Sequence, residues 1–180
     1  REKTFNINEA TQYEIGDALP DVTGGFRTSF RWKNFDFMLA AAYQIGGRQW
    51  DGNSANVYDP GRAGFAASQD LVGNTWTPEH TNAKFPKLMF NGTKFVGSNC
   101  DYLYRDASYF SLKTINVGYT LPKRWTSKIC IESLRVFFAA DNLYFTSAHT
   151  GFDPRTAYTG QNAFGFPQAK TFTFGITMNL

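Results

Sequence analysis

Nothing in this chain approaches the ~18 consecutive apolar residues that a spanning helix needs, which excludes a helical membrane protein. Charge is scarce as well. Charged residues make up only 18% of the sequence, and the net charge of +3 is scattered rather than gathered into a basic stripe. A nucleic-acid surface would show such a stripe interleaved with aromatics, so no nucleic-acid partner is expected. The two cysteines, Cys100 and Cys130, match no ligand spacing, and His80 and His149 lie far apart, so no metal site and no cofactor is expected. A nucleophile elbow, an HExxH pair and a phosphate-binding loop are all missing, so the chain is not read as an enzyme. It opens Arg1-Glu2-Lys3-Thr4 without a basic-then-apolar leader. The expectation is a leader already removed or a piece of something longer.

What is present is aromatic and glycine-rich: 18 Phe, 9 Tyr and 16 Gly among 180 residues. Mean hydropathy is nevertheless slightly negative. That mixture is odd for a soluble globule and ordinary for a membrane barrel, whose strands send only every second residue into lipid. The last eleven residues alternate without a slip. Phe172, Phe174, Ile176, Met178 and Leu180 fall on one face, and Thr171, Thr173, Gly175, Thr177 and Asn179 on the other. An apolar wall of this kind faces either a protein core or lipid.

Four further segments carry strand patterning. The first runs from about 22 to 32, with Phe26, Phe30 and Trp32 opposite Arg27, Ser29 and Arg31. Two residues later the second, 35–45, alternates Phe35, Phe37, Leu39, Ala41, Tyr43 and Ile45 with Asp36, Met38, Ala40, Ala42 and Gln44. So short a connection makes an antiparallel hairpin. The third strand, about 108–121, breaks phase between Leu112 and Ile115. Either one extra residue near Lys113-Thr114 forms a bulge, or Lys113 points into the membrane or the strand begins lower down. Pro122 closes it. The fourth, 133–142, sets Leu134, Val136, Phe138 and Ala140 against Arg135, Phe137, Ala139 and Asp141. The terminal strand, 170–180, is the fifth.

The connections are grossly unequal. Strands one and two are joined by about two residues and three and four by roughly a dozen, whereas segments 48–107 and 143–169 are long. Loops of that size are rare in compact soluble domains and normal on the outer side of bacterial barrels, whose periplasmic turns are short. Residues 1–21 are then an extracellular loop segment, 22–180 a piece of barrel, and the C-terminus periplasmic. Cys100 and Cys130 fall on opposite membrane sides and stay free thiols. In the first long loop, Asp59-Pro60 predicts a helix over Gly61 to Val72, stopped by Gly73. Its aromatics pack the loop onto itself or face a ligand or a lid, and Trp50, Trp76 and Tyr102 are the candidates for contact.

Several stretches together resemble one family. They are Ala18-Leu-Pro-Asp-Val-Thr-Gly-Gly-Phe26, Ala42-Tyr-Gln-Ile-Gly-Gly47, Trp76-Thr-Pro-Glu79, Leu112-Lys-Thr-Ile-Asn-Val-Gly-Tyr-Thr-Leu-Pro122, Gly151-Phe-Asp-Pro154 and the terminal Thr171-Phe-Thr-Phe-Gly175. In this order they look like the C-terminal end of a SusC/RagA-type TonB-dependent outer-membrane transporter of Bacteroidetes. The resemblance implies an all-β chain supplying the last five antiparallel strands of a 22-stranded transmembrane barrel in the bacterial outer membrane. It further implies a plug, a TonB box coupling to TonB, and a SusD-like surface lipoprotein as lid. The cargo would be oligosaccharides or, in some members, peptides. The plug and the TonB box lie outside this sequence, and Leu180 stands where such barrels usually end in an aromatic.

Five strands leave two open edges, and each unmatched backbone group in hydrocarbon costs several kcal/mol. The penalty per edge is on the order of tens of kcal/mol, above the ~5–15 kcal/mol net stability of ordinary proteins. The remainder of the barrel and plug is therefore an expected partner. Facing lipid are Phe26, Phe30, Leu39, Val136, Phe138, Phe172, Phe174 and Ile176. Lining the lumen are Arg27, Arg31, Asp36, Gln44, Arg135 and Asp141. A passive porin-like channel and a soluble β-sandwich are the competing readings.

Overall fold

The computed structural model describes residues 9, 11–58, 66–88, 101–129, 131–156, 161–162 and 166–179. Among these residues there are eight strands: β1 (Val22–Trp32), β2 (Phe35–Ile45), β3 (Arg48–Asp51), β4 (Tyr104–Asp106), β5 (Tyr109–Thr120), β6 (Ser133–Ser147), β7 (Gln161–Asn162) and β8 (Thr171–Asn179). Two short helices accompany them, α1 (Gly52–Val57) and α2 (Lys123–Thr126). The chain divides into two compact units, a sheet unit of 20–46, 107–151 and 166–180 and a loop unit of 1–19, 47–106 and 152–165.

The sheet unit is one antiparallel sheet in the order β1-β2-β5-β6-β8. Each of its strands pairs with its neighbours along the chain. Among the described residues the outer edges of β1 and β8 have no strand beside them. Lys33 makes the β1–β2 turn at φ 53°, and Asn34 stitches it to the end of β5. The Asn34 carbonyl accepts from the Thr120 N–H, and its side-chain amide donates to the Thr120 carbonyl, both at 2.8 Å.

The phase break in β5 is a bulge. Against β2, Thr114 pairs with Ala40 and Leu112 with Ala41, so Lys113 is the extra residue. It returns Phe110 and Leu112 to the wall that holds Ile115 and Val117. Strand β6 departs from expectation by running on past Asn142 to Ser147. Asn142 adopts φ 54°, a left-handed conformation that asparagine tolerates better than most residues, and absorbs the shift in register there. The connection after β5 is helical and not a plain turn: α2 is followed by a 3-10 turn over Ser127–Ile129.

The loop unit has structure of its own. β3 pairs antiparallel with β4 and parallel with β7, giving a small sheet in the order β4-β3-β7. Asp51 caps α1, its carboxylate accepting from the Ser54 N–H at 3.1 Å. Ala55, Tyr58, Leu71, Phe85 and Leu103 form the core of this unit.

The helix expected over Gly61 to Val72 is corrected in part. Residues 59–65 lie outside the described residues, and 66–72 hold an extended stretch and a 3-10 turn at Gln69–Leu71. Ser68 caps that turn and Gly73 (φ 74°) follows it, so the stop signal is real while the element is a single turn. Cys100, Cys130 and Leu180 also lie outside the described residues.

Candidate functional site

Register fixes which side chains share a wall. Arg31 pairs with Asp36, Asp36 with Gly118, Gly118 with Phe137 and Phe137 with Gly175, a row that crosses all five strands on one face. The same face carries Arg27, Gln44, Arg135 and Asp141, so the six polar residues singled out from the sequence are brought to one side. Phe26, Phe30, Leu39, Val136, Phe138, Phe172, Phe174 and Ile176 share the other. Phe174 is 70% exposed and Phe30, Phe172 and Ile176 are also well exposed, while Leu39 and Val136 are half-buried by neighbouring side chains. The exposed apolar side chains thus form one contiguous wall on this face, larger than the scattered apolar residues ordinary on a protein surface.

The polar wall is organised around one ion pair. Arg135 reaches across β5 to Asp36, its Nε donating to Oδ1 at 2.9 Å and its Nη2 donating to Oδ2, a bidentate fork. A second bond runs from Nη2 to the Asn116 side-chain carbonyl at 3.2 Å. The fork passes directly over Gly118, where a Cβ would collide with the Arg135 guanidinium and the Asp36 carboxylate. Gly175 is roofed likewise by the Phe137 ring, over which the Arg135 guanidinium lies 5.1 Å from the centroid. Further up the wall Thr114 donates to Asp141 at 2.8 Å. Sequence reasoning missed Gly118, Asn116 and Phe137. Their signal is the cross-strand register, which links Gly118 to Asp36 on one side and to Phe137 on the other, and Phe137 to Gly175.

In the loop unit the three aromatic candidates separate. Tyr102 packs against the core, its ring 5.6 Å from Phe85 and 6.1 Å from Tyr58, with the Arg105 guanidinium 5.1 Å above it. Trp50 also packs against that core, while Trp76 is 37% exposed. Burial pushes the Tyr58 hydroxyl above its ordinary value, and Tyr102 and Asp70 beside it act the same way. Among the described residues, Gln49 Oε1, Trp50 Nε1 and Asn53 Oδ1 here are buried without a hydrogen-bond partner, and the buried Arg105 Nε meets the Asp51 carboxylate only as an ion pair at 3.9 Å. Each such group costs about 1–3 kcal/mol when left unsatisfied. No group of three or more potential metal ligands occurs among the described residues.

No family model matches the sequence. Curated relatives do. The chain is 30% identical over 183 residues to TonB-dependent receptor P3 of Formosa agariphila, covering 96% of this chain and 18% of that protein. It is 25% identical over 175 residues to TonB-dependent receptor SusC of Bacteroides thetaiotaomicron, covering 96% and 16%. Among solved structures, the RagAB peptide importer in its open-open state is similar with a TM-score of 0.72 at 25% identity, covering 91% of this chain and 17% of that one. The closed-closed state gives 0.77 at 24% identity, covering 97% and 19%.

The chain is thus similar in sequence to TonB-dependent receptors, SusC among them, and in fold to a stretch of the RagAB importer, the SusC/RagA likeness that the sequence motifs implied. It spans under a fifth of the length of each of these relatives.

Proposed function

We propose that the chain forms part of the barrel wall of a TonB-dependent importer in the bacterial outer membrane. The carrying observation is a five-stranded antiparallel sheet with one exposed apolar face, one polar face and two edges that no strand covers among the described residues. Lipid lies against Phe26, Phe30, Leu39, Val136, Phe138, Phe172, Phe174 and Ile176. Arg27, Arg31, Asp36, Gln44, Arg135 and Asp141 line the lumen, where the Arg135–Asp36 fork braces the wall. The short turns are periplasmic, as is the C-terminus, and the loop unit is extracellular.

The importer works with a SusD-like surface lipoprotein, and TonB acts through a plug. Its cargo is an oligosaccharide. Exposed Trp76 is the leading contact for a sugar face, and the Gln49, Trp50 and Asn53 atoms without a hydrogen-bond partner are capacity that a polar ligand or the lid would satisfy. Similarity to the RagAB peptide importer favours a second cargo, an oligopeptide.

Cells carrying the full-length protein and its neighbouring lipoprotein should accumulate labelled oligosaccharide, and removal of TonB should abolish uptake. Peptide uptake alone would replace the cargo. Uptake that persists without TonB would leave a passive channel in place of the importer.

A further inference from the structure

The sheet's two shorter connections meet at one rim. Asn34 bonds Thr120 through both backbone and side chain, so the β1–β2 turn and the α2 turn form a single rim. Each turn presents an exposed tryptophan with a cation held over its ring. Lys33 Nζ lies 4.8 Å above Trp32, which is 57% exposed, and the Arg124 guanidinium lies 5.9 Å above Trp125, which is 53% exposed. Lys123 and Lys128 are exposed beside them, and no ion pair among the described residues engages these four cations. Glu132 is the one carboxylate in the two turns. Below the rim, Trp32, Phe35 and Tyr119 run in a row across three strands on the apolar face, with the Phe35 and Tyr119 rings 4.6 Å apart.

An apolar wall that ends in aromatics and then in unpaired cations matches a lipid monolayer layer by layer: acyl chains, the interfacial region, then phosphate. A tryptophan suits the interfacial level because one end is apolar and the other wet. The cation above each ring is kept at the same level by its attraction to the ring face.

We propose that this rim binds the headgroup phosphates of anionic glycerophospholipids through Lys33, Lys123 and Arg124, with Trp32 and Trp125 seated beside the glycerol backbone. A soluble acidic partner would not need the aromatic row and its continuity with the apolar wall, which is why a lipid is the occupant. The inference rests on the membrane-wall reading above.

The test uses the full-length transporter reconstituted into vesicles of dioleoylphosphatidylcholine alone, or of a three-to-one mixture with dioleoylphosphatidylglycerol. Insertion into the pure phosphatidylcholine vesicles examines the wall reading by itself, and failure there would count against the wall and not the rim. From the mixed vesicles, native mass spectrometry should find phosphatidylglycerol retained on the protein at least about threefold over its bulk share. Molar salt should cancel that enrichment, since headgroup contacts at a surface are screened. The K33Q/K123Q/R124Q variant should return it to the bulk ratio while still inserting. Enrichment that is absent, insensitive to salt, or kept by the triple variant would overturn the proposal. If that variant does not assemble, the salt response of the wild-type protein decides.

Discussion

Two glycines explain more of the polar wall than its charges do. At Gly118 the missing Cβ is what lets Arg135 lie flat over β5 and take Asp36 with both nitrogens. The atoms that a methyl group would meet are ends of flexible side chains, so Gly118→Ala would displace the ion pair and leave the backbone in place. Both side chains are about 30% exposed, which puts the pair close to a surface bridge, worth about 1 kcal/mol. Gly118→Ala should therefore cost about 1 kcal/mol in the unfolding free energy of the assembled barrel. In a background already carrying Asp36→Ala and Arg135→Ala it should cost only a few tenths, a coupling that a double-mutant cycle measures. An undiminished cost there would mean that Gly118 serves the backbone and not the fork.

Among the elements, β5 carries the most consequential irregularity. Lys113 is the one residue that keeps Tyr109 to Leu112 in phase with Ile115 to Tyr119. A strand alternates with period two, so deleting Lys113 transfers every side chain on one flank to the opposite wall. Phe110 and Leu112 would enter the polar face and Ser111 the apolar one. The expected outcome is loss of the heat-modifiable folded band on semi-native gels, whereas Lys113→Thr keeps the residue count and should assemble normally.

Sequence and structure agree where alternation is clean, as in β1, β2 and β8. Agreement fails where the cue is ambiguous. Asp141-Asn142 reads as the end of a strand because both residues favour turns, yet β6 passes straight through and uses Asn142's tolerance of positive φ. Asp59-Pro60 reads as the start of a long helix, while the described helix, α1, begins earlier on the Asp51 cap. Trp50 and Tyr102 were legible as important aromatics, but a single sequence does not say whether such a ring meets a ligand or a neighbour. Gly118 and Phe137 matter only through partners in distant strands, so no local window reveals them.

At the level of the whole molecule, the sheet has one apolar face and one polar face. Phe174 and Thr173 are adjacent in β8, point to opposite walls and are both exposed. If the proposed facing holds, Phe174→Arg near the middle of the strand should lower barrel stability by about 2–4 kcal/mol in lipid, while Thr173→Arg on the polar face should cost little. Equal losses measured by folding into vesicles across a urea series would reverse or cancel the assignment of the walls. Both depend on closure of the sheet by further strands, because the edges of β1 and β8, uncovered among the described residues, are each a row of backbone donors and acceptors.

The little sheet β4-β3-β7 joins backbone from both long excursions, since β3 and β4 lie before β5 and β7 comes after β6. Its parallel pairing sets Trp50 beside Gln161 and Asp51 beside Asn162. Neither excursion is then an independent ornament. A length change in the segment around Gln161 would tug on the residues around Trp50, so new specificities should arise by paired replacement of both segments, and grafting one alone should give mismatched hybrids.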